Sequence, residues 1–127
     1  MVEKSDQLLN EFSRLFRRQP ISTWGLQIGD GWLDLVRQLC VDIEAAASKA
    51  GLDRESEDWP VALQIKEKFG LLRFYFVAPD SIHEEIRALV DAAQAASASI
   101  CEGCGAPGVL RHDGWIHVGC DDCESRT

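Results

Sequence analysis

The last quarter of the chain carries two C-x-x-C pairs, Cys101/Cys104 and Cys120/Cys123, separated by fifteen residues. Few folds can accommodate that pattern. A C-x-x-C turn places two sulfurs on one side of a single ion, and a hairpin between two such turns closes a tetrahedron around it. The intervening "VLRHDGWIHV" reads as that hairpin, with Asp113-Gly114 a favoured two-residue turn. Gly105, directly after Cys104, lets the backbone bend and aim N–H groups at the sulfurs. The reading is a zinc ribbon holding one structural Zn²⁺ through Cys101, Cys104, Cys120 and Cys123.

Other chemistries fit less well. Two disulfides need an oxidising compartment, which nothing in the sequence suggests. A redox dithiol needs one poised pair, not two matched pairs across a hairpin. His83-Glu84-Glu85 followed by Cys101-x-x-Cys104 superficially matches the H-x-E…C-x-x-C signature of zinc deaminases. Against it, Ile100 rather than proline precedes the first cysteine, and residues 81–99 read as one helix. Cys120 and Cys123 would also fill the position that a catalytic water needs. His112 or His117 could replace a cysteine as ligand. The fifth cysteine, Cys40, sits on an apolar helical stripe and reads as a buried thiol.

The rest of the chain reads as helices packed on a hairpin. Leu8, Leu9, Phe12, Leu15 and Phe16 recur at helical spacing over residues 5–18, with Ser5 or Asp6 as cap and Arg17 and Arg18 at the C-terminal end. Pro20, Gly25, Gly29 and Gly31 interrupt the pattern. A second helix is predicted from Gly31 to about Lys49, capped by Asp30 and stopped by Gly51. Val61, Leu63 and Ile65, then Leu72, Phe74 and Phe76, alternate with polar or small residues and predict a hairpin over 60–78 turning near "EKFG". A third helix follows, capped by Asp80 or Ser81, with Ile86, Leu89, Val90 and Ala93 facing inward. The expected class is α+β, with an α+β domain over 1–99 and a zinc-ribbon-like element over 100–127 packed on it.

Charge limits the partners. With 21 acidic and 13 basic residues the formal net charge is −8, and a four-thiolate zinc centre adds more negative charge. Nucleic-acid binding is therefore disfavoured, although a nucleic-acid-associated ribbon is the second reading. No apolar run is long enough to cross a bilayer, and "MVEKSDQLLNEF" lacks a signal-peptide core, so the expectation is a cytoplasmic protein. Lys66, Lys68 and Arg73 make a basic spot on this acidic chain. Gln64, Lys66, Arg73 and Tyr75 are predicted to share the outer hairpin face and are the candidate partner-binding residues. Trp24, Trp32 and Trp59 are interface candidates that could equally be core.

"GDGWLDLVRQLC", "LQIKEKFGLLRFYF" and "CEGCGAPG…GWIHVGCDDC", spanning roughly residues 29–123, together resemble a family of small bacterial and phage-borne proteins. Its pattern has G-W heading a helix, a Q-I-K-E-K-F-G-G-L-R-F-Y hairpin and a C-terminal C-x-x-C-G knuckle. Leu71 departs from it where a second glycine is expected, and Cys123 stands where relatives often have histidine. The resemblance implies an α+β fold with a zinc knuckle and no established activity; by analogy it implies an immunity or host-takeover role. No nucleophile–base set, phosphate loop or open metal position is evident, so the expectation is not an enzyme but a zinc-stabilised module that binds a protein partner, of the immunity or inhibitor type.

Overall fold

The computed structural model describes residues 4–18, 26–112 and 114–125. Pro20, Trp24, Gly25 and Asp113 lie outside them. Among the described residues the order is α1 (Lys4–Glu11), a 3-10 turn (Asp30–Trp32), α2 (Leu33–Lys49), β1 (Val61–Lys68), β2 (Leu71–Val77), α3 (Asp80–Ser97), β3 (Val109–Arg111), β4 (His117–Gly119) and α4 (Asp121–Ser125). Two antiparallel hairpins, β1–β2 and β3–β4, with the helices, make an α+β fold.

One core serves the larger part. Leu8, Phe12, Leu15 and Phe16 bring the N-terminal segment onto Trp32, Val36, Leu39, Cys40 and Ile43 of the second helical segment. Ile82, Ile86, Val90 and Ala93 of α3 and Ala62, Ile65, Leu72 and Phe74 of the hairpin complete it. Trp32 and Trp59 are buried members of this core, not surface anchors. The first helix is shorter than its periodicity implies. It ends at Glu11, and Phe12–Phe16 continue as turns that keep the same apolar face inward. Ser5 and Asp6 lie inside the helix, so neither precedes it as a cap. Arg17 does not serve a helix end either. Its guanidinium donates to the carbonyls of Arg14, Glu57, Trp59 and Pro60, pinning the 53–60 loop to the N-terminal segment. Arg17→Ala would strand these partly buried carbonyls and is expected to cost about 2 kcal/mol, read by chemical denaturation.

The polar cap predictions fail at two further helices. Gly29 and Pro79 hold the cap positions where Asp30 and Asp80 or Ser81 were expected, and no side chain caps either start. Asp30 is drawn into the 3-10 turn, whose backbone is satisfied instead by the C-terminal knuckle. Gly51 does stop α2, in a Schellman arrangement: Gly51 N–H reaches Ser48 O and Leu52 N–H reaches Ala47 O.

A bulge reverses part of the β1 alternation. The register slips between Ala62 and Gln64, so Ala62 turns inward and Leu63 is left half-buried. Beyond it, Ile65 pairs Phe74 on the core face. The turn is two residues, Phe69 (φ 54°) and Gly70 (φ 83°), both left-handed, as the twist of a tight hairpin favours. Gly70 fills its place without strain, whereas Phe69 is held in a conformation its Cβ disfavours and remains 67% exposed. Phe69→Gly is expected to leave stability unchanged or raise it by up to about 1 kcal/mol, an outcome that denaturant titration can check.

Both edges of this hairpin are covered. Along β2, Leu72 N–H donates to Ser97 Oγ and Phe74 N–H to Gln94 Oε1, both from α3. Along β1, Ala62 N–H reaches Leu15 O, while Gln27 N–H donates to Ile65 O and Glu67 N–H to Gln27 O.

Candidate metal centre

The C-terminal segment leaves α3 at Ser97 and turns straight into the first knuckle. Cys101 N–H donates to Ala106 O, and Gly105 N–H to Cys101 O, which wraps residues 101–106 around the first sulfur pair. Gly105 takes φ +86° in this turn. β3 and β4 pair Val109 with Gly119 and Arg111 with His117, and so return the chain to the knuckle. β3 ends at Arg111 and β4 begins at His117; the expected Asp113-Gly114 turn includes Asp113, which lies outside the described residues. Glu102 N–H donates to Val118 O and joins the two knuckles.

The result is a cluster in which the Sγ atoms of Cys101, Cys104, Cys120 and Cys123 all lie within 4.8 Å of one another. Four sulfurs bound tetrahedrally at about 2.3 Å would stand about 3.8 Å apart, so the cluster can hold one metal ion with small adjustments. Cys101 and Cys120 are buried, Cys123 is intermediate and Cys104 is exposed, so the centre lies just beneath the surface.

The thiols differ in acidity. Burial opposes ionisation of Cys101, but N–H groups of Cys104, Cys120 and Gly103 point at its sulfur and outweigh burial, lowering it to about 6. The Ala106 N–H favours the Cys104 thiolate, yet the Cys120 sulfur and its neighbours leave that thiol raised. The sulfurs of Cys101, Cys104 and Cys120 push Cys123 up to about 12. One thiolate is thus ready near neutral pH, while Cys104 and Cys123 still hold protons that a metal must displace. Metal affinity is therefore expected to rise with pH, by at least roughly 100-fold per unit near pH 7. It should fall more steeply below pH 6, where Cys101 also binds a proton. Chelator competition between pH 6 and 8 measures this.

Neither histidine joins the sulfurs. His112 is exposed. His117 hydrogen-bonds through Nδ1 to Trp115 O at 2.9 Å and through Nε2 to Glu124 Oε2 at 3.0 Å. The Trp115 carbonyl, then the Glu124 carboxylate, raise its pKa. Trp115 lies in the loop before β4, and its ring stacks on His117 with centroids 4.6 Å apart. His83 lies in the first turn of α3, 5.0 Å from the Phe76 ring, and that helix runs unbroken from Asp80 to Ser97. His83 and Glu85 are not part of the sulfur cluster, which among the described residues is the one group of three or more side chains able to hold a metal. Cys40 is fully buried, and burial raises its thiol pKa far above the usual value.

Sequence reasoning missed what holds the knuckle to the core. Gly31 N–H donates to Glu102 O at 2.7 Å, Trp32 Nε1–H to Ile100 O at 2.8 Å, and Gly29 N–H to Glu102 Oε2 at 2.8 Å. A Cβ on Gly31 would lie 2.1 Å from Cys101 O. The G-D-G-W run is thus the seat of the metal knuckle. Two glycines before a tryptophan at a helix head were the available signal, although the partner lies some seventy residues downstream.

The outer hairpin face gathers as expected. Gln64 pairs Tyr75 and Lys66 pairs Arg73, with Lys66 Nζ 5.9 Å from the Tyr75 ring. Phe69, Val109, Leu110 and Trp115 are exposed at the hairpin tip and along the ribbon. No helix among the described residues is long and apolar enough to cross a membrane. No protein-family model, curated protein or solved structure matches the chain.

Proposed function

We propose that this is a non-enzymatic, cytoplasmic protein-interaction module stabilised by one Zn²⁺, of the immunity or inhibitor type, and a member of the phage-borne family it resembles. The four-sulfur cluster carries the reading. Four soft thiolates in a closed set suit Zn²⁺ and leave no ligand position for a reacting water. The binding role is supported by the exposed side chains. Phe69, Trp115 and Tyr75 stand at 67%, 67% and 42% exposure, and Tyr75 shares its hairpin face with Lys66 and Arg73. Large aromatics and arginine on a surface are typical of interface anchors.

Elemental analysis of the purified chain should find one zinc per molecule. The product of a neighbouring gene, titrated calorimetrically, should bind the zinc form, and Arg73→Glu together with Tyr75→Ala should weaken binding at least roughly tenfold. A turnover activity that disappears in Glu85→Ala, or binding only to oligonucleotides with a steep salt dependence, would overturn the reading.

A further inference from the structure

A cleft of about 440 Å³ opens beside the metal centre, between the first knuckle and the Trp115 loop. Glu102, Gly103, Trp115, His117, Cys123 and Glu124 are among the residues that line it. One face of the Trp115 indole rests on the His117 ring, yet the residue remains 67% exposed. The indole is therefore braced without being covered. Two carboxylates, on Glu102 and Glu124, border the same space.

We propose that this cleft is an arginine-binding subsite, in which a guanidinium from a basic protein partner stacks on Trp115 and faces the carboxylates of Glu102 and Glu124. The occupant follows from charge and shape. A cation over an indole face is attracted by the ring quadrupole, and guanidinium, being planar and weakly hydrated, stacks better than ammonium. Each carboxylate is already engaged, Glu102 Oε2 by Gly29 N–H and Glu124 Oε2 by His117 Nε2, but a carboxylate has about four lone-pair sites and can accept further charge-assisted bonds from the guanidinium's fork of N–H donors. A nucleobase could also stack on Trp115, but its phosphate would meet both carboxylates, the Asp121–Asp122 pair that opens α4 and a chain of net charge −8. This occupant rests on the protein-binding role proposed above and adds to it a specific contact chemistry, separate from the outer face of the β1–β2 hairpin.

The test is a ¹⁵N-resolved NMR titration of the zinc-loaded full chain with an acetylated Gly-Arg-Gly amide. The same peptide with citrulline, a neutral isostere, and a short oligothymidylate serve as comparisons. Shifts should concentrate on the Trp115 indole N–H and the Gly103 and Gly119 amides. Affinity should drop at least roughly tenfold with citrulline or in Trp115→Ala. Retained zinc content and unchanged core amides will show that the variant is folded. Shifts absent from these groups, equal for citrulline, insensitive to Trp115→Ala, or larger with oligothymidylate would overturn the subsite. A neighbouring-gene partner that binds through the hairpin face while the cleft stays silent would sink the subsite and leave the interaction role standing. An arginine peptide that docks in the cleft of a chain with no protein partner would do the reverse.

Discussion

Cys120→Ser is expected to unravel residues 100–125 and to remove on the order of 4 kcal/mol or more of stability, with loss of the zinc proposed to bind there. The reason is how little apolar surface this segment buries. Its strands β3 and β4 are three residues each, and no residue of α4 is buried. Of its side chains only Val118 belongs to the main apolar core, with Ile100 packed partly against it. Without an ion the four sulfurs are polar groups crowded together, with Cys104 and Cys120 only 3.5 Å apart. A metal bound here would act as this segment's own core, as is usual for small metal-dependent elements. Chelation of the unmodified protein should produce the same change. Amide exchange should show residues 100–125 losing protection while α2 and the β1–β2 hairpin keep most of theirs. Full protection of the segment without zinc would remove the structural-metal reading.

Gly31→Ala should be the next most damaging change, at about 3–5 kcal/mol, although it touches no sulfur. The new methyl would meet Cys101 O at 2.1 Å, Gly105 N at 2.5 Å and Glu102 O at 2.6 Å, all of them backbone atoms that cannot swing aside. The knuckle would have to withdraw, and the hydrogen bonds from Gly31 N–H and Trp32 Nε1–H would go with it. Ile100 O would then be left without its buried indole partner. Denaturant titration of the zinc-loaded variant measures the cost. Zinc affinity should weaken in the same variant, because the seat orients the first ligand pair. A variant as stable as the parent would mean that the knuckle floats free of the 3-10 turn.

The parts legible in the sequence are those set by local repetition. Helical spacing found α2 and α3, alternation found the β1–β2 hairpin, and cysteine spacing found the sulfur cluster, since each signal repeats within a few residues. What escaped depends on contacts between distant segments. The bulge beside Leu63 is invisible to a period-two pattern, because Val61, Ala62 and Leu63 are all apolar and the pattern does not choose between them. Asp30 and Asp80 have the chemistry of caps, but their backbones were recruited into the helical turns themselves. Arg17 looked like a helix-end cation until the 53–60 loop supplied carbonyls to it. The cleft beside Trp115 exists only once the loop after β3 and the knuckle after α3 lie face to face.

The covered edges of the larger hairpin also restrict how a partner can dock. Ser97 and Gln94 occupy N–H groups of β2, and Leu15 and Gln27 engage β1. A guest strand would have to displace a helix or the segments around Leu15 and Gln27 before it could extend this sheet. Under the proposed interaction role, recognition there would fall to side chains instead of the peptide backbone. Side-chain readout depends on residue identity, whereas strand addition draws much of its affinity from main-chain hydrogen bonds that any extended segment can supply. The same closure blocks edge-to-edge strand pairing between copies through this hairpin, so the molecule can display aromatic groups at its tips without also offering an open strand edge as a template for aggregation.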